Sequence, residues 1–330
     1  MSDQKRIDFL DSLKGLAIFL VVFAHVIAWS YTDFNSFKSD FRQSGLFWCI
    51  YAFHMPLFFL ISGFLAYFSV GRYSKLELIK KRTVQLLIPY ISATLFVEFI
   101  LQQEMNYWFL IALFVMNLVL VLSYNKSKPH LPIATWILLY GLTVLLPALN
   151  NIPYLYIPAF KKYFPYFLLG YYCSMYPGLY AFLKNKIYRI SLFVFAGLMI
   201  YQLHRFPLLP ENLITNEKFI DVFNYLKAFF AIVFFFFLFE KNSSATNQGF
   251  ASRYLKKMGK SSLAIYIIHV LFKFAIPKIG DIMATTGGGV ALIQIIYATI
   301  FSIILVIISL IISRLMEEDR FQSFLFLGKK

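Results

Sequence analysis

Three polar side chains in the first apolar segment have types and a spacing that could support chemistry. Lys14 and His25 lie eleven residues, or about three helical turns, apart, so a helix places them on one face about 16 Å apart. A lysine is a compact charge for phosphate, and a neutral imidazole can take a proton from a hydroxyl group. Asp11, one turn before Lys14, is placed to orient the ammonium group.

This spacing suits a long, thin acyl donor whose anionic head lies near Lys14 and whose reacting end lies near His25. The gap is comparable to the length of an extended pantetheine arm. A structural interpretation also fits the same residues, because Lys14 could extend to the membrane interface and His25 could hydrogen-bond a neighbouring helix. The first segment alone leaves both interpretations open.

The second apolar segment carries another histidine at a similar depth. His54 lies about eight residues, or 12 Å, below the outer end of this segment, so it could line one site with His25 or fix helix packing. Pro56 predicts a local break beside it. Ser62 is predicted to permit close helix approach rather than to act as a nucleophile, because no GxSxG motif surrounds it.

A third buried histidine is expected in the ninth apolar segment. His269 lies near the predicted middle of the membrane, with Tyr266 one turn earlier. The two side chains could line a passage for the donor or form a hydrogen bond between helices. Two cysteines without a CxxC pair predict neither a disulfide framework nor a metal site.

The composition excludes an ordinary soluble protein. Of the 330 residues 60% are hydrophobic and 14% are charged, against about 25% charged residues in a soluble domain. A net charge of +15 in a soluble protein would suggest nucleic acid as the partner. Basic residues beside apolar segments instead indicate a polytopic membrane protein, and no nucleic-acid partner is predicted.

The predicted fold is an all-α polytopic membrane protein with about ten transmembrane helices in a single domain, residues 1–330. The candidate segments are 10–30, 46–69, 84–102, 107–123, 131–149, 160–176, 187–204, 218–240, 261–279 and 288–314. Most of the 31 lysines and arginines fall on one side if both termini are cytoplasmic, and the excess of positive charge on that side predicts this orientation.

Five motifs in order resemble the acyltransferase-3 family of membrane O-acyltransferases. They are the Lys14–His25 helix, FHMPLFFLISGF from Phe53, WFLIALF from Trp108, YFPYFLLGYY from Tyr163 and GKSSLAIYIIH ending at His269. The chain is most similar to the branch of fucose 4-O-acetylases and related sugar acetyltransferases. The likeness covers nearly the whole chain.

One motif departs from the pattern that the resemblance implies. Family members often carry an Arg-x-x-Arg pair on the cytoplasmic side before the third span, and here Gln85 stands three residues after Arg82. Lys81 or Arg72 could supply the missing charge. Which of these basic residues hold the phosphates of the donor is left open.

The resemblance implies an enzyme that moves an acetyl or other acyl group from acyl-CoA on the cytoplasmic side to a sugar hydroxyl. The acceptor would be a cell-surface polysaccharide or a lipid-linked glycan. The protein would lie in a bacterial plasma or inner membrane, in contact with membrane lipid. No permanently bound cofactor is expected. His25 would be the general base or a transient acyl carrier, and His54 would position or polarise the reacting groups. Lys14, Lys81 and Arg82 would bind the anionic head of the donor.

Two other classes of function fit the composition. A transporter or flippase for a saccharide or a lipid-linked sugar would also have many apolar helices with buried histidines. A structural subunit of a polysaccharide synthase would not bind CoA. A transporter does not require the Lys14–His25 spacing with a basic cluster on the donor side, and this feature favours the acyltransferase.

Overall fold

The computed structural model describes residues 8–32, 45–102, 107–152, 155–204, 217–242, 249–280 and 290–329, whose regular secondary structure is helical. The α-helices are α1 (Asp8–Trp29), α2 (Gly45–Tyr51), α3 (His54–Val70), α4 (Lys75–Arg82), α5 (Ile88–Leu95), α6 (Trp108–Ser123), α7 (Leu131–Leu145), α8 (Ile157–Met175), α9 (Pro177–Phe182), α10 (Tyr188–His204), α11 (Glu217–Asn242), α12 (Phe250–Lys260), α13 (Ser262–Ile268), α14 (Val290–Glu318) and α15 (Arg320–Leu327). π-helical turns occupy Thr83–Leu87, Phe96–Ile100 and Leu183–Ile187, and 3₁₀ turns occupy Pro147–Asn151 and His269–Ala275.

Several of these helices can cross a membrane. Within the described residues, 5 helices are long and apolar enough, or up to 6 if the pair Phe250–Lys260 and Ser262–Ala275, bent by 71°, is one span. The five are Asp8–Trp29, Leu46–Val70, Lys75–Ile100, Phe219–Asn242 and Leu292–Glu318. The described part of the chain is therefore helical and apolar enough for a membrane protein, as predicted, whereas the number of about ten spans stays a prediction.

The chain forms two compact units, and each is discontinuous in sequence. The first comprises Met1–Phe58 and Gly178–Leu310, and the second comprises Phe59–Pro177 and Ile311–Lys330. In the first unit α1 packs along α12 and also contacts α11 and α13, while α10 pairs with α11. In the second unit α6 packs against α8 and α4, and α15 packs against α5.

The central helix of the first unit is α1, whose two ends are held by different interactions. Acidic residues in its first turn interact favourably with the positive end of the helix dipole. One of them, Asp8, pairs with Lys256 of α12 at 2.8 Å. At the other end the Lys278 ammonium donates to the carbonyl of Trp29, and the backbone N–H of Gly280 donates to Ser30 at 2.9 Å. The apolar stretch between these ends is almost fully buried.

In the second unit, two glycines allow α3 and α8 to touch backbone to backbone. A Cβ atom on Gly63 would lie 1.8 Å from the carbonyl oxygen of Phe167, and one on Gly170 would lie 2.0 Å from that of Leu60. Small residues allow such close approach between membrane helices, where van der Waals contact stabilises association. The aromatic rings of Trp108 (α6) and Tyr163 (α8) stack at 5.5 Å in the same unit.

Candidate active site

Lys14 is held by an acidic neighbour on its own helix. Its Nζ lies 3.0 Å from Oδ1 of Asp11, one turn earlier on α1. The Asp11 side chain is 4% exposed and that of Lys14 is 23% exposed. The ammonium group is therefore partly accessible, while its carboxylate partner is fixed in the protein.

The backbone of α12 approaches α1 beside this ion pair. A Cβ atom on Gly15 would lie 1.9 Å from the carbonyl oxygen of Leu255, and one on Gly259 would lie 1.8 Å from that of Asp11. The two glycines let the helices meet without intervening side chains. The backbone that carries Asp11 and Lys14 is thus fixed against α12.

Eleven residues further along α1, His25 meets a histidine from a distant part of the chain. His25 Nδ1 lies 2.9 Å from Nε2 of His269, and the two rings are almost parallel. His269 has no exposed surface, and its Nδ1 lies 2.7 Å from the carbonyl oxygen of Ile265. The helix changes from α to 3₁₀ at His269, so this hydrogen bond lies at the change of helix type.

An aromatic residue that the sequence analysis did not single out completes this cluster. The Trp29 ring lies 5.0 Å from the His25 ring and 5.7 Å from the His269 ring, tilted by about 30° or less from each. Trp29 follows His25 by one helical turn, and this spacing is the one signal in the sequence that could have found it. Tyr266, also buried, lies with its ring 6.3 Å from that of His269.

His54 is placed by a break between two helices. Pro56 has no N–H to donate to Ala52, and α2 ends at Tyr51 just before α3 begins at His54. The His54 imidazole is buried, and its Nδ1 lies 2.8 Å from the carbonyl oxygen of Ile50. His54 and His25 belong to the same unit.

The second unit holds a cluster of basic residues around a half-buried tyrosine. Lys81 Nζ donates to the Tyr73 hydroxyl at 3.3 Å and lies 4.4 Å from the centre of its ring, while the Arg72 guanidinium lies 5.8 Å from the ring. The hydrogen bond from Lys81, together with the charges of Lys81 and Arg72, lowers the pKa of Tyr73. Positive charge is therefore concentrated around Tyr73.

Arg82 ends α4 immediately before the π-helical turn Thr83–Leu87. Its Nη1 donates to Oε1 of Gln85 at 3.0 Å and its Nη2 to Oγ of Ser69 at 3.4 Å. Among the described residues no acceptor contacts its buried Nε. Gln85 thus orients Arg82 instead of adding a second positive charge. Ser62, half-buried on α3, also lies in this unit.

A comparison with protein families covers most of the chain. A family model described as an acyltransferase domain matches residues 7–314. The chain belongs to the acyltransferase-3 family. The match includes the His25–His269 pair of the first unit and the basic cluster of the second unit.

Two relatives share the name nodulation protein NolL. The one from Sinorhizobium fredii (strain NBRC 101917 / NGR234) is 31% identical over 185 residues, which is 49% of this chain and 47% of the relative. The one from Mesorhizobium japonicum (strain LMG 29417 / CECT 9101 / MAFF 303099) is 38% identical over 79 residues, which is 24% of this chain and 20% of the relative. The chain thus spans about half the length of the first relative and less of the second. No solved structure matches the chain.

The close contact between α1 and α12 leads to a first testable prediction about the stability of this protein. We expect Gly259→Ala to lower the Tm of the purified protein, because its Cβ would overlap the carbonyl oxygen of Asp11. Overpacking of this kind costs about 1–3 kcal/mol. Gly197→Ala on α10 is the matched control, because a Cβ there meets nothing within 4 Å. Equal Tm values for the two variants, measured by size-exclusion chromatography after heating, would contradict the prediction.

Proposed function

We propose that this protein is a membrane O-acyltransferase that moves an acetyl group from acetyl-CoA to a sugar hydroxyl. The acceptor is a cell-surface polysaccharide or a lipid-linked glycan. The observation that supports this proposal most directly is an acyltransferase domain in which α1 carries Lys14 and His25 about 16 Å apart. That separation matches a donor with an anionic head and a distant thioester.

In the proposed reaction His25 takes the proton of the sugar hydroxyl. The oxygen attacks the thioester carbonyl, a C–O ester bond forms, and the C–S bond breaks. The CoA sulfur leaves as a thiolate and receives the proton from His25. In the alternative order the acyl group moves first to the His25 imidazole and then to the sugar. His54 positions or polarises the reacting groups in either order.

The basic residues of each unit, taken by itself, are candidate contacts for the anionic head of the donor. Lys14 provides one ammonium group in the first unit, and Arg72, Lys81 and Arg82 provide charge in the second. Buried polar groups are nearly always hydrogen-bonded, so the buried Nε of Arg82, which no described residue satisfies, favours an anionic ligand at this position. Tyr73 adds a hydroxyl group beside Lys81.

The proposed membrane arrangement has about ten spans in one acyltransferase domain, with both termini in the cytoplasm of a bacterial plasma or inner membrane. Each of the ten predicted segments overlaps a helix of the structure. The orientation rests on the excess of lysine and arginine on one side. It places Lys14 at the inner surface, where acyl-CoA is available.

This orientation predicts opposite labelling of two cysteines introduced into a variant without Cys49 and Cys173. We expect a cysteine at Asn151 to react with a membrane-impermeant maleimide in intact cells. A cysteine at Lys257 should react only after the cells have been permeabilised. Both positions are exposed in the structure, so accessibility within the protein does not differ between them. The reverse pattern would overturn the orientation and the cytoplasmic donor site.

The proposed activity is tested by transfer of labelled acetyl groups from acetyl-CoA to glycan isolated from cells that lack this gene. Purified protein in liposomes should label the glycan, and mass spectrometry should show one added acetyl group for each labelled sugar. A transporter or flippase would instead change the location of the glycan without changing its mass. Failure of folded protein to transfer acetyl or longer acyl groups to this glycan would refute the proposal.

A further inference from the structure

The hydrogen bonds around His269 determine which of its nitrogens carries the proton. The carbonyl oxygen of Ile265 can only accept, so Nδ1 of His269, at 2.7 Å, must be the donor. A neutral imidazole has one N–H and one lone pair, and the lone pair of His269 is therefore on Nε2. His269 has no exposed surface, and a buried charge without a charged partner is costly, which favours this neutral form.

The same reasoning then determines the tautomer of His25. Its Nδ1 faces the lone pair of His269 Nε2 at 2.9 Å, so His25 Nδ1 must carry the hydrogen and donate it. Neutral His25 consequently has its own lone pair on Nε2. That atom is the one left to take a proton from an acceptor hydroxyl.

We propose that His269 is the positioning residue that holds His25 in the tautomer and ring orientation needed for a general base acting through Nε2. The inference rests on the function proposed above. In hydrolase triads a buried carboxylate gives the catalytic histidine its tautomer. Here a neutral imidazole, itself fixed by the carbonyl of Ile265, serves the same purpose without adding negative charge to the interior of the membrane domain.

The role of the pair continues through the reaction. When His25 Nε2 takes the hydroxyl proton, Nδ1–H remains bonded to His269, and the bond becomes charge-assisted and therefore stronger. The Trp29 ring centre lies 5.0 Å from that of His25, a distance at which an aromatic ring can stabilise the imidazolium ion. When the leaving sulfur takes the proton back, the neutral tautomers are restored. The cycle therefore needs no rearrangement of the hydrogen bond.

Nitrogen-15 spectra of protein labelled at its 5 histidines test the tautomer without any enzymatic reaction. The spectrum of His25→Ala assigns the signals of His25. We expect wild-type His25 to be protonated at Nδ1, and we expect His269→Phe to give a mixture of tautomers. Wild-type protein with His25 protonated at Nε2 would overturn the inference, whether or not the proposed function is correct.

Kinetics with two variants of the same position test the positioning role. We expect His269→Phe to lower kcat about ten- to a hundredfold at unchanged donor KM, the effect of losing one hydrogen bond to a charged group. His269→Gln keeps an acceptor oxygen close to the position of Nε2 and should recover most of the lost kcat and the Nδ1–H signal of His25. Wild-type kcat in folded His269→Phe, or equal losses in both folded variants, would contradict the inference.

Discussion

His25→Ala is expected to reduce acyl transfer by about two to four orders of magnitude, the usual contribution of a general base. The substitution removes the imidazole that reaches His269 and leaves α1 intact, since alanine is the best helix former. Donor KM should change little because Lys14 lies about 16 Å away. Steady-state transfer from labelled acetyl-CoA, with donor and acceptor varied separately, provides the measurement.

His130→Ala is the control for this substitution, because His130 is exposed at the start of α7. It should have wild-type kcat. Near-normal turnover of folded His25→Ala would show that the catalytic assignment is wrong. Wild-type protein incubated with acetyl-CoA in the absence of acceptor and then quenched separates the two orders of reaction. Mass spectrometry should find an acylated His25 peptide only if the acyl group moves first to the His25 imidazole.

The second large effect is expected at the basic residues. Lys14→Ala and Arg82→Ala should each raise donor KM about ten- to a hundredfold, because losing one charge-assisted contact to phosphate costs about 1.5–3 kcal/mol. Acceptor KM should change little. Lys14→Arg should be milder because a charge remains. Gln85→Ala should raise donor KM less than Arg82→Ala, because it removes a group that orients the guanidinium and not the charge itself.

Lys80→Ala is the control for the lost charge, since Lys80 is exposed on the same helix as Arg82. Its donor KM should equal that of the wild type. A larger acceptor KM at unchanged donor KM in Lys14→Ala would place the sugar, and not the donor, beside Lys14. Equal effects of Lys80→Ala and Arg82→Ala would indicate general electrostatic attraction instead of a defined contact.

Local periodicity made the helices and one face of the site predictable. The shared face of Asp11, Lys14 and His25 follows from the 3.6-residue repeat, and the structure has them on one continuous helix. The apolar segments correctly predicted helices in all ten places, but the number of helices that span the membrane stays a prediction. α6 and α7, for example, have 16 and 15 residues, fewer than the about 20 that a membrane helix needs.

Contacts between distant residues could not be read from the sequence. His25 and His269 are 244 positions apart, and a single sequence carries no information on their pairing. The position of Gln85 was evident as a departure from the motif, but its role as an acceptor for Arg82 depends on side-chain geometry after a π-helical turn. Such turns have no reliable pattern of residues.

α1 is held at both ends, by the pairing of Asp8 with Lys256 at one end and by contacts with Lys278 and Gly280 at the other. The axial rise from Lys14 to His25 is about 16 Å, and the backbone hydrogen bonds of the helix keep this separation constant. A truncated thioester such as an acetylated cysteamine is too short to reach both Lys14 and His25. In the proposed reaction such a donor would lose the advantage of simultaneous attachment, and we expect the fixed length of α1 to favour long donors over short ones.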